Sequence, residues 1–165
     1  AIDVESEPGR GTTFRILLPA ARGDEVPAGG DGEASPEPRG SETVLYVEDN
    51  DTVRRVTQAQ LAMLGYTVLS HASGEAALAA MATHRGDIHL LVTDVVMPVM
   101  NGRVVAARAV AERPLIRVLF LSGYTDDVIG QQGIVDPGTH FLAKPFGLHD
   151  LARKIRETLA GGAAP

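Results

Sequence analysis

The 165-residue sequence contains no cysteine. This absence excludes a disulfide framework, thiolate metal sites and a cysteine nucleophile. A chain of this size that needs no disulfides suits a reducing compartment. We therefore expect a cytoplasmic location, and a longer parent chain attached to a membrane would be compatible with it.

The sequence also lacks an excess of basic residues. Fifteen Lys and Arg stand against twenty-one Asp and Glu, which gives a net charge of −6. A broad surface for nucleic acid or an anionic membrane needs the opposite balance. We expect neither as a partner of this segment. Only two of the basic residues, Lys144 and Lys154, are lysines.

Long hydrophobic runs are missing as well. The longest apolar stretch, residues 88–100, is interrupted by His89, Thr93 and Asp94, and it is shorter than the ~20 residues that span a bilayer. The sequence has no initiator methionine and no basic-then-apolar leader. We expect no signal peptide, and we interpret the chain as part of a longer protein.

Composition divides the chain into four segments. Residues 1–21 hold two short alternating runs around the turn Pro8-Gly9-Arg10-Gly11, which predicts a β-hairpin. Residues 22–40 are rich in Gly, Pro and acid, with no apolar residue larger than Val26, and such a composition predicts a flexible linker. Residues 41–160 carry the remaining helix and strand patterns, and residues 161–165 form a tail.

Strand-like and helix-like runs alternate between residues 41 and 160. Apolar runs predict five strands, at Thr43–Val47, Tyr66–Ser70, Ile88–Thr93, Ile116–Leu121 and His140–Ala143. Helical spacing and capping residues predict five helices, at Asp51–Leu64, Ser73–His84, Asn101–Glu112, Asp126–Gln132 and Leu148–Leu159. This alternation predicts an α/β fold with a doubly wound parallel sheet, covered by helices on both faces.

Polar residues follow four of the five predicted strands. Glu48-Asp49 follows the first strand, Asp94 the third, Ser122 the fourth and Lys144 the fifth. Doubly wound sheets bind their ligands at the carboxyl ends of the strands. We therefore expect these side chains to face one crevice.

These residue types together predict phosphoryl transfer. Three carboxylates in one crevice repel each other, and Mg²⁺, which prefers oxygen ligands, relieves that repulsion. Lys144 adds a positive charge and Ser122 a hydroxyl donor, and phosphoryl transfer depends on such neutralisation and positioning. A carboxylate can serve as the nucleophile, and Asp94, at the end of the central strand, is the candidate.

Four motifs in register carry a family resemblance. They are Glu48-Asp49, residues 94–102 (DVVMPVMNG), Leu121-Ser122-Gly123 and Lys144-Pro145-Phe146. With these motifs and the flanking strands, residues 42–160 resemble the receiver domain of two-component response regulators. The resemblance implies a flavodoxin-like fold with the five-stranded sheet in the order 2-1-3-4-5.

The resemblance implies a role for each acid of the crevice. Asp94 would be the phosphoacceptor, taking a phosphoryl group from a phosphohistidine in a Mg²⁺-dependent step. Asp49 and Asp94 would bind Mg²⁺ directly with the backbone carbonyl of Val96, and Glu48 would act through water.

The resemblance also implies a switch. Ser122 and Lys144 would contact the phosphoryl group, and Phe141 would rotate into the space that Ser122 leaves. The added charge would thereby change a signalling surface. This sequence has Glu48, Ser122, Gly123 and Phe141 where the commonest pattern of the family has Asp, Thr, Ala and Tyr.

Residues 1–21 resemble a different family, the last strands of a histidine-kinase ATP-binding domain. The match comprises residues 4–14 (VESEPGRGTTF) and the following strand that ends in Leu18-Pro19. The phosphorylatable-histidine helix, the asparagine-bearing helix and the ATP lid are absent from this sequence, so we expect no kinase activity from it. Kinase tail, linker and receiver together indicate the C-terminal part of a hybrid sensor histidine kinase. The implied partners are a phosphohistidine of the same or a partner kinase, a histidine phosphotransfer domain and a second copy of the chain.

Three other functions compete with this interpretation. One is a phosphorylation-independent adaptor of the same fold, against which the complete set of acids, Ser122 and Lys144 argues. A Mg²⁺-dependent phosphohydrolase usually has a second acid two residues after its nucleophile, where this chain has Val96. A nucleotide or flavin domain needs a phosphate-binding loop after the first strand, and residues 48–51 (EDND) carry the wrong charge for it.

Overall fold

A computed structural model of the chain describes residues 1–18, 38–123 and 140–161. The chain divides into two compact units, one within residues 1–35 and one within residues 36–165. Most of the predicted linker, the predicted helix Asp126–Gln132 and the last four residues of the tail lie outside the described residues.

The first unit contains the predicted hairpin. Strands β1 (Ile2–Glu7) and β2 (Gly11–Ile16) pair antiparallel, with Ile2 opposite Ile16 and Val4 opposite Phe14. The connecting turn uses Gly9 at φ 81°, a left-handed conformation that glycine adopts without steric cost. Every residue of both strands is exposed. The hairpin predicted within residues 1–21 is confirmed for the described residues 1–18.

Within its described residues, the second unit, called the α/β unit below, contains five strands and four helices. The strands are β3 (Thr43–Val47), β4 (Thr67–His71), β5 (Leu90–Asp94), β6 (Arg117–Ser122) and β7 (His140–Ala143). They pair in parallel in the order β4-β3-β5-β6-β7. This arrangement confirms the predicted order 2-1-3-4-5 and the flavodoxin-like α/β fold.

The four helices cover the two faces of this sheet. They are α1 (Asp51–Met63), α2 (Gly74–Thr83), α3 (Gly102–Glu112) and α4 (Leu148–Ala160). Alternate residues of a strand point to opposite faces, so Leu45 and Leu91 pack with α2 and α3. Tyr46 and Val92 pack with α1 and α4 on the other face. The strands are therefore apolar on both sides, which explains their continuous apolar runs.

Side-chain caps begin three of the helices at the carboxyl edge of the sheet. Asn50 accepts hydrogen bonds from the Thr52 and Val53 amides at 3.0 and 3.1 Å. Asn101 accepts from the Val104 amide at the start of α3, and Ser73 accepts from the Ala76 amide at the start of α2. These caps fix where α1 and α3 leave the strand ends that carry the acids. Among the described residues, no helix has the length and apolar character to span a bilayer.

Candidate functional site

Three carboxylates meet at the carboxyl ends of two neighbouring strands. Glu48 and Asp49 follow β3, Asp94 ends β5, and β3 pairs with β5 in the centre of the sheet. One carboxylate oxygen from each residue lies within 4.8 Å of the others. Glu48 is only 2% exposed, Asp94 is partly buried and Asp49 is exposed. The exposure of the three side chains thus increases from Glu48 through Asp94 to Asp49, and the site opens to solvent at Asp49.

Lys144 bridges two of these carboxylates. Its Nζ donates to Glu48 Oε2 at 2.6 Å and to Asp94 Oδ2 at 2.7 Å. Burial disfavours the charged ammonium, but the hydrogen bonds to Asp94 and Glu48 outweigh burial and raise the pKa of Lys144. The Lys144 amide donates to the Ser122 carbonyl at 2.7 Å, which fixes the backbone from which this side chain reaches the acids.

The turn after β5 orients Asp94 from the other side. The Val96 amide donates to Asp94 Oδ1 at 3.3 Å, so protein donors contact both carboxylate oxygens. Gly102 lies directly behind this turn, and its amide donates to the Val95 carbonyl at 3.0 Å. A Cβ at position 102 would lie 2.0 Å from the Asp94 carbonyl oxygen. Only glycine lets α3 begin this close to Asp94.

The site fits a hard divalent cation. Among the described residues, two of its three carboxylates contact one ammonium, that of Lys144, which leaves a local excess of negative charge. An all-oxygen donor set of this kind, with one carboxylate open to water, suits Mg²⁺, which keeps several of its waters when bound. Glu48, Asp49 and Asp94 are the side chains that would hold it.

Ser122 and Phe141 lie on the two strands next to the acids. Ser122 ends β6, is buried, and is paired in the sheet with Ala143. Phe141 lies opposite Phe120 on β6, and their rings stack with centroids 5.3 Å apart. Phe141 is partly buried against the core on the α2 and α3 side. The structure thus brings Lys144 into contact with Glu48 and Asp94, places an oxygen of Asp49 within 4.8 Å of those two acids, and sets Ser122 at the same edge.

Arg54 was not predicted from the sequence. Its guanidinium Nη1 donates to the backbone carbonyls of Glu48 and Asp49, at 3.0 and 3.5 Å. Its Nη2 pairs with Asp51. The sequence did hold a signal for this residue, because Arg54 lies in the first turn of the helix that follows the acidic pair Glu48-Asp49. A cation is unfavourable at that position, since it opposes the helix dipole.

Comparison with known proteins assigns the α/β unit to a family. The family model described as response regulator receiver domain matches residues 44–156. The response regulator receiver protein CpdR of Brucella abortus is 30% identical over 116 residues, which cover 70% of this chain and 95% of that protein. The crystal structure of the receiver domain of the hybrid histidine kinase CckA superposes with a TM-score of 0.60 at 35% identity. The superposition covers 71% of this chain and 98% of the CckA receiver domain in that crystal structure.

A longer relative extends the match toward the N-terminus. Sensor kinase CckA of Brucella abortus is 39% identical over 162 residues, which cover 94% of this chain but only 17% of that kinase. The chain spans 48% of a second relative, the probable transcriptional regulator ycf27 of Porphyridium aerugineum. The match over 44–156, together with the five-stranded parallel sheet and its acidic carboxyl edge, shows that the chain belongs to the response regulator receiver domain family of two-component systems.

Proposed function

We propose that this chain is a phosphoacceptor domain in which Asp94 takes a phosphoryl group from a phosphohistidine in a Mg²⁺-dependent step. The observation that carries the proposal is the contact of Lys144 Nζ with both Asp94 and Glu48 beside the third acid, Asp49. An accessible carboxylate, an adjacent fixed cation and an acidic donor set are the parts that such a transfer needs.

The bonds and electrons of this transfer are accounted for by Asp94, the phosphohistidine and a proton from solvent. A carboxylate oxygen of Asp94 attacks the phosphorus, so that a P–O bond forms while the P–N bond of the phosphohistidine breaks. The electron pair of that bond stays on the imidazole nitrogen, which takes up a proton from solvent. The Lys144 ammonium, 2.7 Å from Asp94 Oδ2, lies where it stabilises charge on the phosphoryl oxygens.

When bound, Mg²⁺ would neutralise charge on the phosphoryl oxygens. Asp49, Asp94 and the Val96 carbonyl would hold it directly, and Glu48, already paired with Lys144, would act through water. Asp49 is the exposed member of the three and would therefore be the ligand most accessible from solvent.

A switch would follow phosphorylation. The Ser122 hydroxyl would move toward the phosphoryl group, and Phe141 would turn into the space that it leaves. Phe141 is partly buried and stacks on Phe120, two residues before Ser122 on β6. Movement of Ser122 would therefore change the packing of β6 and β7, and with it the surface that a partner reads.

The proposed parent is a hybrid sensor histidine kinase. The alignment with sensor kinase CckA leaves only about 10 residues of this chain unmatched, so it must include strand β2 of the hairpin. This supports residues 1–21 as the remnant of the kinase ATP-binding domain, 22–40 as a linker and 41–160 as the receiver. The proposed donor is a phosphohistidine of that or a partner kinase in the cytoplasm, with a histidine phosphotransfer domain as acceptor.

The test is intact-mass measurement after incubation with acetyl phosphate and Mg²⁺. We expect one phosphoryl adduct that requires Mg²⁺, is lost on chelation before the donor is added, and is absent from Asp94→Asn. No adduct in the wild type, together with no change of its NMR spectrum on adding beryllofluoride, would contradict the proposal and favour a phosphorylation-independent adaptor.

A further inference from the structure

Arg54 is a partly buried cation in an electrostatically unfavourable place. It lies in the first turn of α1, where the helix dipole repels positive charge, yet its side chain is only 18% exposed. Burying a charge there is costly unless specific partners compensate it. The compensation comes from three acceptors, which are the carbonyls of Glu48 and Asp49 and the carboxylate of Asp51.

Two of these acceptors belong to the turn that carries the metal-site acids. The guanidinium contacts the backbone of Glu48 and Asp49, while Lys144 contacts the Glu48 carboxylate. Arg54 therefore fixes the peptide groups of this turn without occupying its carboxylate oxygens. The Asn50 amide donates to Glu48 Oε1 at 3.2 Å and closes the same turn from within.

We infer that Arg54 is a positioning residue that holds the Glu48-Asp49 turn in the conformation that binds Mg²⁺. The inference rests on the proposed function, because it assigns Arg54 to the proposed Mg²⁺ site. Partners of this kind behind metal ligands are worth about 10- to 100-fold in metal affinity. The loss of Arg54 should therefore weaken Mg²⁺ binding although Arg54 never contacts the ion.

Charge alone predicts the opposite result. A guanidinium near a cation site repels the cation, so removal of its charge should tighten Mg²⁺ binding. Loss of positioning should weaken it. The sign of the change in affinity thus separates the two roles.

Lysine at position 54 cannot replace the arginine fork. A guanidinium presents several donors in one plane, which lets Arg54 reach two carbonyls and a carboxylate at once. A lysine ammonium keeps the charge but is a single point on a flexible stem. Arg54→Lys should therefore also weaken Mg²⁺ binding, by a smaller factor than Arg54→Gln.

The experiment is calorimetric titration of MgCl₂ into the whole chain and its variants. Arg55→Gln is the matched control, since Arg55 is the next residue of the same helix and is exposed. We expect Kd for Mg²⁺ to rise about tenfold in Arg54→Gln, to rise less in Arg54→Lys, and to stay within about twofold in Arg55→Gln. Circular dichroism in the absence of Mg²⁺ establishes which variants are folded.

An unchanged or lower Kd in folded Arg54→Gln overturns the inference. If that variant does not fold, Arg54→Lys decides by the same criterion. The two proposals fail differently. A wild-type chain that binds no Mg²⁺ and forms no adduct contradicts the proposed function, whereas normal wild-type binding with unaffected Arg54 variants contradicts only the role of Arg54.

Discussion

The polar and charged side chains at the two ends of the five-stranded sheet differ in how completely they are paired. At the amino ends of the strands, Arg156 donates to Glu42 at 2.5 Å, and the Thr43 amide donates to His89 Nδ1 at 3.1 Å. Arg113 there binds backbone carbonyls at the end of α2 and in the loop that follows it. Each of these side chains has a hydrogen-bond partner within the protein, as expected of groups that hold a fold together.

At the carboxyl ends, the acids of the described residues outnumber the bases that contact them. Lys144 serves both Glu48 and Asp94, and the exposed Asp49 lies within 4.8 Å of them. Such an arrangement costs stability, because like charges at this separation repel. The difference teaches that these amino-end side chains are satisfied within the fold, whereas the carboxyl-end acids keep an excess of negative charge that a bound cation would offset.

The largest stability effect should come from Lys144→Met. The change leaves the Glu48 carboxylate, 2% exposed, without its cation, and loss of one partner of a buried pair costs about 3 kcal/mol or more. We expect a marked drop in the free energy of unfolding at neutral pH, measured by urea titration. Saturating Mg²⁺ should restore part of it.

Lys154→Met is the control for this change. Lys154 is the other lysine of the sequence, and its partner Glu157 lies on the exposed side of α4. Surface pairs of this kind contribute little, so this variant should unfold close to the wild type. If both lysine variants lost the same free energy of unfolding, the acids at the carboxyl ends would not depend on Lys144 more than a surface acid depends on its lysine.

Asp49→Asn should have a smaller effect of the opposite sign. Removal of one of three mutually repelling carboxylates should raise the free energy of unfolding in Mg²⁺-free buffer by about 1 kcal/mol. Added Mg²⁺ should stabilise the wild type in proportion to site occupancy and the variant far less. Thermal unfolding with and without Mg²⁺ measures both. A variant that is less stable than the wild type without Mg²⁺ would contradict the repulsion argument.

Much of the fold and the acidic edge was predictable from local patterns. Strands buried on both faces leave continuous apolar runs, such as Thr43–Val47, and the bounds of the elements within the described residues agree within about two residues. Capping residues marked the helix starts, since Ser73 and Asn101 act within one turn of the chain. The acids and Lys144 were predictable because each directly follows a strand whose carboxyl end faces the same crevice.

The remaining features depend on contacts between distant residues. The steric demand at Gly102 arises from the Asp94 carbonyl, eight residues earlier and brought back by the turn. The hydrogen bonds of Arg54 depend on the rotamer of a long side chain, which periodicity does not encode. The strand order itself came from the family resemblance, because alternation of strands and helices is compatible with several orders.

Glu42→Gln should change the free energy of unfolding least. It tests the comparison at the amino ends of the strands, where Glu42 is a paired carboxylate. Burial raises the pKa of Glu42, but the hydrogen bond and charge of Arg156 outweigh burial and lower that pKa below its ordinary value. A carboxyl with a lowered folded pKa stabilises the protein above its unfolded pKa of about 4.3, and this contribution is lost as pH falls through the folded value. Arg156 is 38% exposed, so solvent screening limits the contribution to less than about 1 kcal/mol.

The difference in unfolding free energy between the wild type and Glu42→Gln should be positive at pH 7 and shrink below about pH 4.3. A difference that stays constant with pH would show that Glu42 is not stabilised as a carboxylate, and the opposite signs expected for Glu42→Gln and Asp49→Asn would then no longer separate the two ends.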